Sequence, residues 1–221
     1  MLCTPEIFAS QITALWPYGS VTVASLMEGD TIAEMAATIL ADAPPRFALA
    51  GISMGGFIEF EIMRQAPERV IKLALLSTEA RPDTPEQTVQ RRALLAEVHI
   101  GNFAALLALA LPAIVHPAHQ NDPALRDVNV RMGLTVGIER WARQAEAVMA
   151  RIDYRPCLPA ISVPTLVLVG DSDTFTPLDR AEEMVAAIPG ARLVVVPECG
   201  HASTIEQPDA VNRALVEWIT H

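Results

Sequence analysis

Gly51-Ile-Ser-Met-Gly-Gly56, read with its flanks, decides the fold. Before it, Phe47-Ala-Leu-Ala-Gly51 is an apolar run of the length of a buried strand. After it, Met54 to Gln65 reads as a helix, and Ala66-Pro67 ends it. Ser53 therefore sits at a tight strand-to-helix turn. Such a turn strains the serine backbone and needs neighbours without side chains, which Gly51 and Gly55 supply. The turn presents the Ser53 hydroxyl at the C-terminal edge of a sheet. The helix aims its N-terminus at the same point, so the Met54 amide can donate to a developing negative charge. A Walker-type phosphate loop is excluded, because no Gly-Lys-Ser/Thr follows.

Working outward, strands and helices alternate. Val21-Thr-Val-Ala-Ser25 is a β-rich run, expected to be a strand. A helix follows from Thr31 to Leu40, with Ile32, Met35, Ala36 and Ile39 on one face, and Ala43-Pro-Pro45 stops it. Val70 to Leu76 is a further strand. After Glu79 the texture changes: Arg81 to Arg155 carries helical patterns, with breaks near Pro112, Pro117 and Pro123, and no convincing strand. Within it Ile138, Trp141, Ala142, Ala145, Val148 and Met149 recur at one-face spacing. Alternation then resumes, with strands at Pro164–Gly170 and Leu193–Pro197 and helices at Leu178–Ile188 and Pro208–Ile219. The expectation is an α/β fold, a mostly parallel sheet with flanking helices. Its core is discontinuous, 1–80 and 156–221, with a helical cap insertion at 81–155.

The 221 residues carry a formal net charge of −10, and 51% are hydrophobic. That is enough chain for one domain with a sizeable core. An acidic surface without a Lys/Arg-rich run argues against nucleic acid as a partner. No apolar stretch is long enough to span a bilayer, the richest being Phe103 to Leu111. The N-terminus has no basic segment followed by a hydrophobic one, so no signal peptide is expected. Cys3, Cys157 and Cys199 form no CxxC pair, which suits free thiols in a reducing cytoplasm. Cysteines and histidines lack metal-ligand spacing, and neither metal nor cofactor is expected.

A serine hydroxyl becomes a nucleophile when a base takes its proton and a carboxylate orients the base. The sequence supplies both in the order serine, acid, histidine. Asp171 and Asp173 follow the strand ending at Gly170. His201 follows the strand ending near Pro197, in Pro197-Glu-Cys-Gly-His201. These loops lie at the same sheet edge as Ser53, where open α/β sheets bind ligands. Spacing alone leaves the choice between Asp171 and Asp173 open. His99, His116 and His119 fall in the insertion, where any of them is a candidate to line a substrate pocket, and His221 is terminal.

Taken in order, Gly51–Gly56, Pro164–Pro177 and Cys199-Gly-His201 resemble the α/β-hydrolase superfamily. The chain is most similar to the small bacterial esterases and lactonases grouped with the pimeloyl-carrier-protein methyl esterases. The resemblance implies that the acid belongs to a G-x-x-D loop, which falls on Gly170 and Asp173, with Asp171 as the alternate. It implies that 81–155 is the family's helical lid. It implies hydrolysis, through an acyl-enzyme, of a small and largely apolar ester or lactone. Amide and C–C bond cleavage and perhydrolysis occur in the same superfamily.

One departure carries consequences. Relatives in that group begin with further strands and a His-Gly or Pro-Gly turn that gives a second oxyanion amide. Met1 to Phe8 resembles the stretch just after that turn. The expectation is therefore a chain lacking those strands, with a gap in the sheet between Val21–Ser25 and Phe47–Gly51. Those strands would close up, or another chain would fill the gap as in a homo-oligomer. The second amide would come from the first residues, near Leu2. A weakly active or non-catalytic binding module is the alternative function.

Overall fold

The computed structural model describes residues 1–98 and 103–221. His99 lies outside the described residues. The sheet has four strands: β1 (Phe47–Ile52), β2 (Val70–Leu76), β3 (Thr165–Gly170) and β4 (Arg192–Val196). All pair in parallel in the order β1-β2-β3-β4. Each strand is close to its expected bounds. They form because their runs are apolar on both faces, the pattern that a two-sided parallel sheet demands.

Side chains alternate across the sheet, so successive residues of one strand serve two cores. Leu73, Leu75, Val167 and Val169 point to one face, against α2 (Ile32–Asp42), α3 (Met54–Gln65) and α8 (Leu178–Ala187). Ala74, Leu76, Leu166 and Leu168 point to the other, against α1 (Ala9–Leu15) and α10 (Pro208–Thr220). Parallel neighbours need crossovers, and α3 and α8 supply two of them. The third, from β2 to β3, carries α4 (Pro85–Val98), α5 (Phe103–Ile114), α6 (Pro123–Val136) and α7 (Ile138–Met149). The described residues of 81–155 contain no strand. The α2 start is fixed by reciprocal capping: the Thr31 hydroxyl accepts from the Glu34 amide, and the Glu34 carboxylate accepts from the Thr31 amide.

One expected strand is absent. Val21–Ser25 forms no ladder and runs as coil, with Thr22, Ala24 and Ser25 exposed. A β-rich run becomes a strand only beside a partner edge. The coil just after it is instead drawn to α7, where buried Arg140 donates to the carbonyls of Leu26, Gly29 and Glu28 at 2.6, 2.7 and 2.7 Å. The anticipated gap between that strand and the next therefore does not arise. β1 is an edge strand. The Ser53 amide bonds the Leu76 carbonyl at 3.0 Å, so by strand alternation Leu49 and Gly51 also face β2, and Ala48, Ala50 and Ile52 face outward.

Candidate active site

The Ser53 turn takes the conformation that its sequence demands. Ser53 has φ 55° and ψ −115°, a strained left-handed conformation for a residue with a Cβ. Two contacts hold it there: the Ser53 amide bonds β2, and the Thr78 hydroxyl donates to the Ser53 carbonyl at 2.8 Å. The expectation about room-giving glycines needs one correction. A Cβ on Gly51 would sit 2.8 Å from the Gly55 carbonyl carbon, so Gly51 is needed; a Cβ on Gly55 would meet nothing within 4 Å. The second crowded position is Gly56, whose Cβ would lie 2.3 Å from the Thr78 hydroxyl oxygen. The backbone of α3 passes so close to the segment after β2 that only hydrogen fits. Met54 is buried as the first residue of α3, and no side chain caps that helix start. Among the described residues its amide has no hydrogen-bond acceptor.

The two loops beyond β3 and β4 meet this turn. His201 Nε2 lies 2.9 Å from Ser53 Oγ. Its Nδ1 lies 2.9 and 3.0 Å from the two carboxylate oxygens of Asp173. The Asp173 carboxylate is buried and also accepts from the Phe175 and Thr176 amides at 2.9 Å and from the Thr176 hydroxyl at 2.8 Å. Burial pushes its pKa up, but the bonds from His201 and Thr176 outweigh that and hold it below the usual range. The Phe175 ring stands 5.1 Å from the imidazole and flanks it.

Asp171 does something else. It is exposed, and its oxygens accept from the Glu198 amide at 2.9 Å and the Cys199 amide at 3.2 Å. It ties the loop carrying His201 to the end of β3. Gly170 lets the two loops cross, since a Cβ there would lie 2.3 Å from the carbonyl oxygens of Cys199 and Gly200. Of the two aspartates, Asp173 is therefore the one in contact with the imidazole.

Leu2 is drawn elsewhere. Its amide donates to Gln144 Oε1 at 3.1 Å, and its side chain packs with Met1 against Leu95, Val98, Trp141 and Ala145 of the helical segment. Trp141 is thus a core residue of those helices. His116 and His119 are half-buried on the connection after α5, where the Glu206 carboxylate binds them. A groove of about 810 Å³ between α5 and α6, lined by Ala104, Ala108, Arg126, Val130 and Leu134, touches none of Ser53, Asp173 or His201. Burial and the neighbouring Glu206, Asp173 and Asp171 push the Cys199 thiol up, which keeps it protonated and un-nucleophilic. Among the described residues no three His, Cys, Asp or Glu side chains are grouped to hold a metal ion.

A parallel α/β sheet, a strained serine at a strand-to-helix turn, and a histidine and aspartate on the next two loops define a class, and residues 27–208 match the α/β hydrolase fold family model. The chain belongs to that family, whose members it resembles as an enzyme. It is 29% identical over 197 residues to a putative non-heme bromoperoxidase, BpoC, of Mycobacterium tuberculosis, covering 85% of this chain and 73% of that one. It is 25% identical over 225 residues to the pimeloyl-[acyl-carrier protein] methyl ester esterase of Vibrio campbellii, covering 92% and 85%. Among solved structures, the enol-lactonase of Burkholderia xenovorans LB400 superposes with a TM-score of 0.87 at 26% identity, covering 100% of this chain and 88% of that one.

The sequence left Thr176, Thr78, Gln144 and Glu206 unnoticed. Each acts through a tertiary contact distant in sequence or within a loop, and no periodicity marks such residues. Among the described residues, no helix is long and apolar enough to cross a membrane.

Proposed function

We propose that this chain is a serine hydrolase acting on a small, largely apolar carboxylic ester or lactone. The observation that carries the reading is the Ser53–His201–Asp173 relay, with both contacts of the imidazole at hydrogen-bond distance, 2.9 Å. Ser53 Oγ attacks the carbonyl carbon as His201 Nε2 takes its proton. The carbonyl oxygen becomes an oxyanion held by the Met54 amide. His201 returns the proton to the leaving alcohol, and an acyl-serine remains. Water, deprotonated by His201, releases the acid and restores the hydroxyl. Asp173 fixes the tautomer with the proton on Nδ1 and stabilises the imidazolium. Cap helices α4–α7 would exclude water over the site. An esterase and an enol-lactonase among the similar proteins support acyl-bond cleavage as the reaction class. Free thiols at Cys3, Cys157 and Cys199 fit a reducing cytoplasm.

The test is labelling by a fluorophosphonate probe. The wild-type chain is labelled and Ser53→Ala is not. A folded wild-type chain that resists labelling would overturn the hydrolase reading. One observation favours a second reading, a weakly active module. The Leu2 amide, the candidate second oxyanion donor, is engaged by Gln144. A site with one donor loses roughly a hundredfold or more in rate.

A further inference from the structure

Glu206 follows the proposed base by five residues and takes no part in the relay. Its carboxylate is fully buried. One oxygen accepts from the Gly200 amide at 2.7 Å. The other accepts from the His116 amide at 2.6 Å and lies 2.8 Å from His119 Nδ1. Gly200 immediately precedes His201, whereas His116 and His119 belong to the connection between α5 and α6. A single buried carboxylate therefore bonds the loop that carries the imidazole and the cap at once.

A second set of contacts runs beside it. The His201 and Ala202 amides both donate to the carbonyl of Ile114, the last residue of α5, at 2.7 and 3.2 Å. A Cβ on Gly200 would lie 2.6 Å from the Val115 carbonyl carbon. The backbone on each side of His201 is thus seated on the end of a cap helix. Four of these hydrogen bonds cross between the 200–206 segment and the end of α5 with its connection, two of them made by Glu206, which also holds Gly200 within its own segment. The rest of the His201 loop is held from the sheet side by Asp171, through Glu198 and Cys199.

We propose that Glu206, clasped by His119, is a positioning residue that couples the cap to His201. The orientation of the imidazole towards Ser53 depends on α5 staying docked. A substrate that displaces this end of the cap would move the base with it. The inference deepens the hydrolase reading and rests on it for its kinetic part. Charge-assisted bonds to a buried carboxylate are the strong kind, and leaving one of their partners unpaired is expensive.

The experiment uses the whole chain and two readouts. The first is steady-state hydrolysis of p-nitrophenyl acetate. His119→Ala lowers kcat roughly five- to twentyfold with KM within about twofold, a range matching the loss of one bond to a charged group. His119→Asn places an amide N–H donor at the position of Nδ1 and recovers most of that kcat. Glu206→Gln, which places an amide NH₂ among three donors, loses more than His119→Ala. The second readout is amide hydrogen exchange. Both variants speed exchange at Gly200–Ala202 at least about tenfold, while β3 keeps its protection.

Unchanged exchange and unchanged kcat in His119→Ala, in a wild type that is active, overturns the inference and leaves the hydrolase reading intact. A wild type that neither turns over ester nor takes the fluorophosphonate, but shows the exchange response, overturns the hydrolase reading and leaves the coupling. A loss that His119→Asn does not restore also overturns the inference. His119 is partly exposed, so its variants keep the test open if Glu206→Gln does not fold.

Discussion

The carboxyl group of Glu59 lies against the backbone of Gly51, so that a Cβ on Gly51 would come within 2.9 Å of the Glu59 carboxyl carbon and Oε2. This group sits on α3 directly behind the Ser53 turn, with 1% exposure and, among the described residues, no hydrogen bond to either oxygen. Burial alone drives its pKa well above 4.5. A carboxyl that the fold holds protonated costs stability as pH rises above its unfolded value, up to its folded one. The contribution is therefore most favourable in acid and worsens towards neutrality.

Glu59→Met removes both unpaired oxygens at similar volume. It should raise stability at pH 7 by about 1–3 kcal/mol, the usual penalty of an unsatisfied buried polar group. In a chain of this size that is a rise of roughly 2–10 °C in thermal midpoint. The gain over wild type should shrink as pH falls towards 4.5. Thermal melts at pH 5 and pH 8 check it, and a Glu59→Met protein less stable than wild type at pH 8 contradicts the account.

The two aspartates of the β3 loop separate by function. Asp173→Asn leaves the imidazole in the wrong tautomer and should lower kcat about 10⁴-fold. Asp171→Asn loosens the 198–199 turn and should lower kcat no more than about tenfold, since one of the two amides keeps an oxygen acceptor and the other loses its bond at an exposed carboxylate outside the imidazole contact. Asp173 also carries a pH signature. Its folded pKa lies below the usual carboxylate range, so its stabilisation is present above that range and fades as pH falls through the lower, folded value. The stability difference between wild type and Asp173→Asn should accordingly narrow below about pH 4. Activity assays and acid titrations of both variants decide it, and a greater kcat loss in Asp171→Asn reverses the assignment.

Thr176 touches both members of the acid–base pair. Its hydroxyl donates to Asp173 Oδ2 at 2.8 Å and lies 3.4 Å from His201 Nδ1. Thr176→Val keeps the shape and removes the donor. Losing one hydrogen bond to a carboxylate, about 1.5 kcal/mol, should lower kcat roughly tenfold at unchanged KM. Without that bond the Asp173 pKa rises, which is measurable by NMR titration. A Thr176→Val enzyme with wild-type kcat shows that the hydroxyl only fills space.

What the residues disclosed follows from how local each signal is. Met54–Gln65 and Val70–Leu76 were readable to the residue, because a proline and an apolar run mark their ends. Ser53 and His201 were readable because each sits just past a strand, and a parallel sheet brings such loops to one rim; position did not separate Asp173 from Asp171, and only the resemblance to a G-x-x-D loop favoured Asp173. Val21–Ser25 misled, since its propensity was real and its partner edge was not. Leu2 showed the reverse: its neighbour Gln144 lies 142 positions away, and no local pattern announces that bond. Glu206 was hidden for the same reason, as its ligands span residues 116 to 200.

The two ends of the helical segment are joined by one buried guanidinium. Arg151, just past α7, bonds Asp83 and Glu79 with Nη1 and Nη2, and its Nε donates to the Arg81 carbonyl at 2.9 Å. It also stacks over the Phe57 ring, 4.1 Å from the centroid, which ties the segment to α3. The Arg151 and Asp83 side chains have no exposure. Burial raises the Glu79 pKa even against the opposing pull of Arg151 and Arg180. Arg151→Met takes one of two cationic partners from each buried carboxyl, leaving Asp83 with Arg91 at 2.6 Å and Glu79 with Arg180 at 3.3 Å, and should destabilise by about 1–3 kcal/mol, less than the loss of a sole partner. The loss should be smaller at pH 5 than at pH 8, because the Glu79 carboxyl, whose pKa burial already raises, takes up a proton more readily without Arg151. Replacing the three groups together, with Arg151→Met, Asp83→Leu and Glu79→Leu, should restore much of the stability, since the apolar set needs no counter-charge and the partly exposed Arg91 and Arg180 can turn to water. Chemical denaturation of the single and triple variants measures both. A triple variant as unstable as Arg151→Met would show that the backbone bond to Arg81 and the stacking on Phe57, rather than the ion pairs, hold the segment in place.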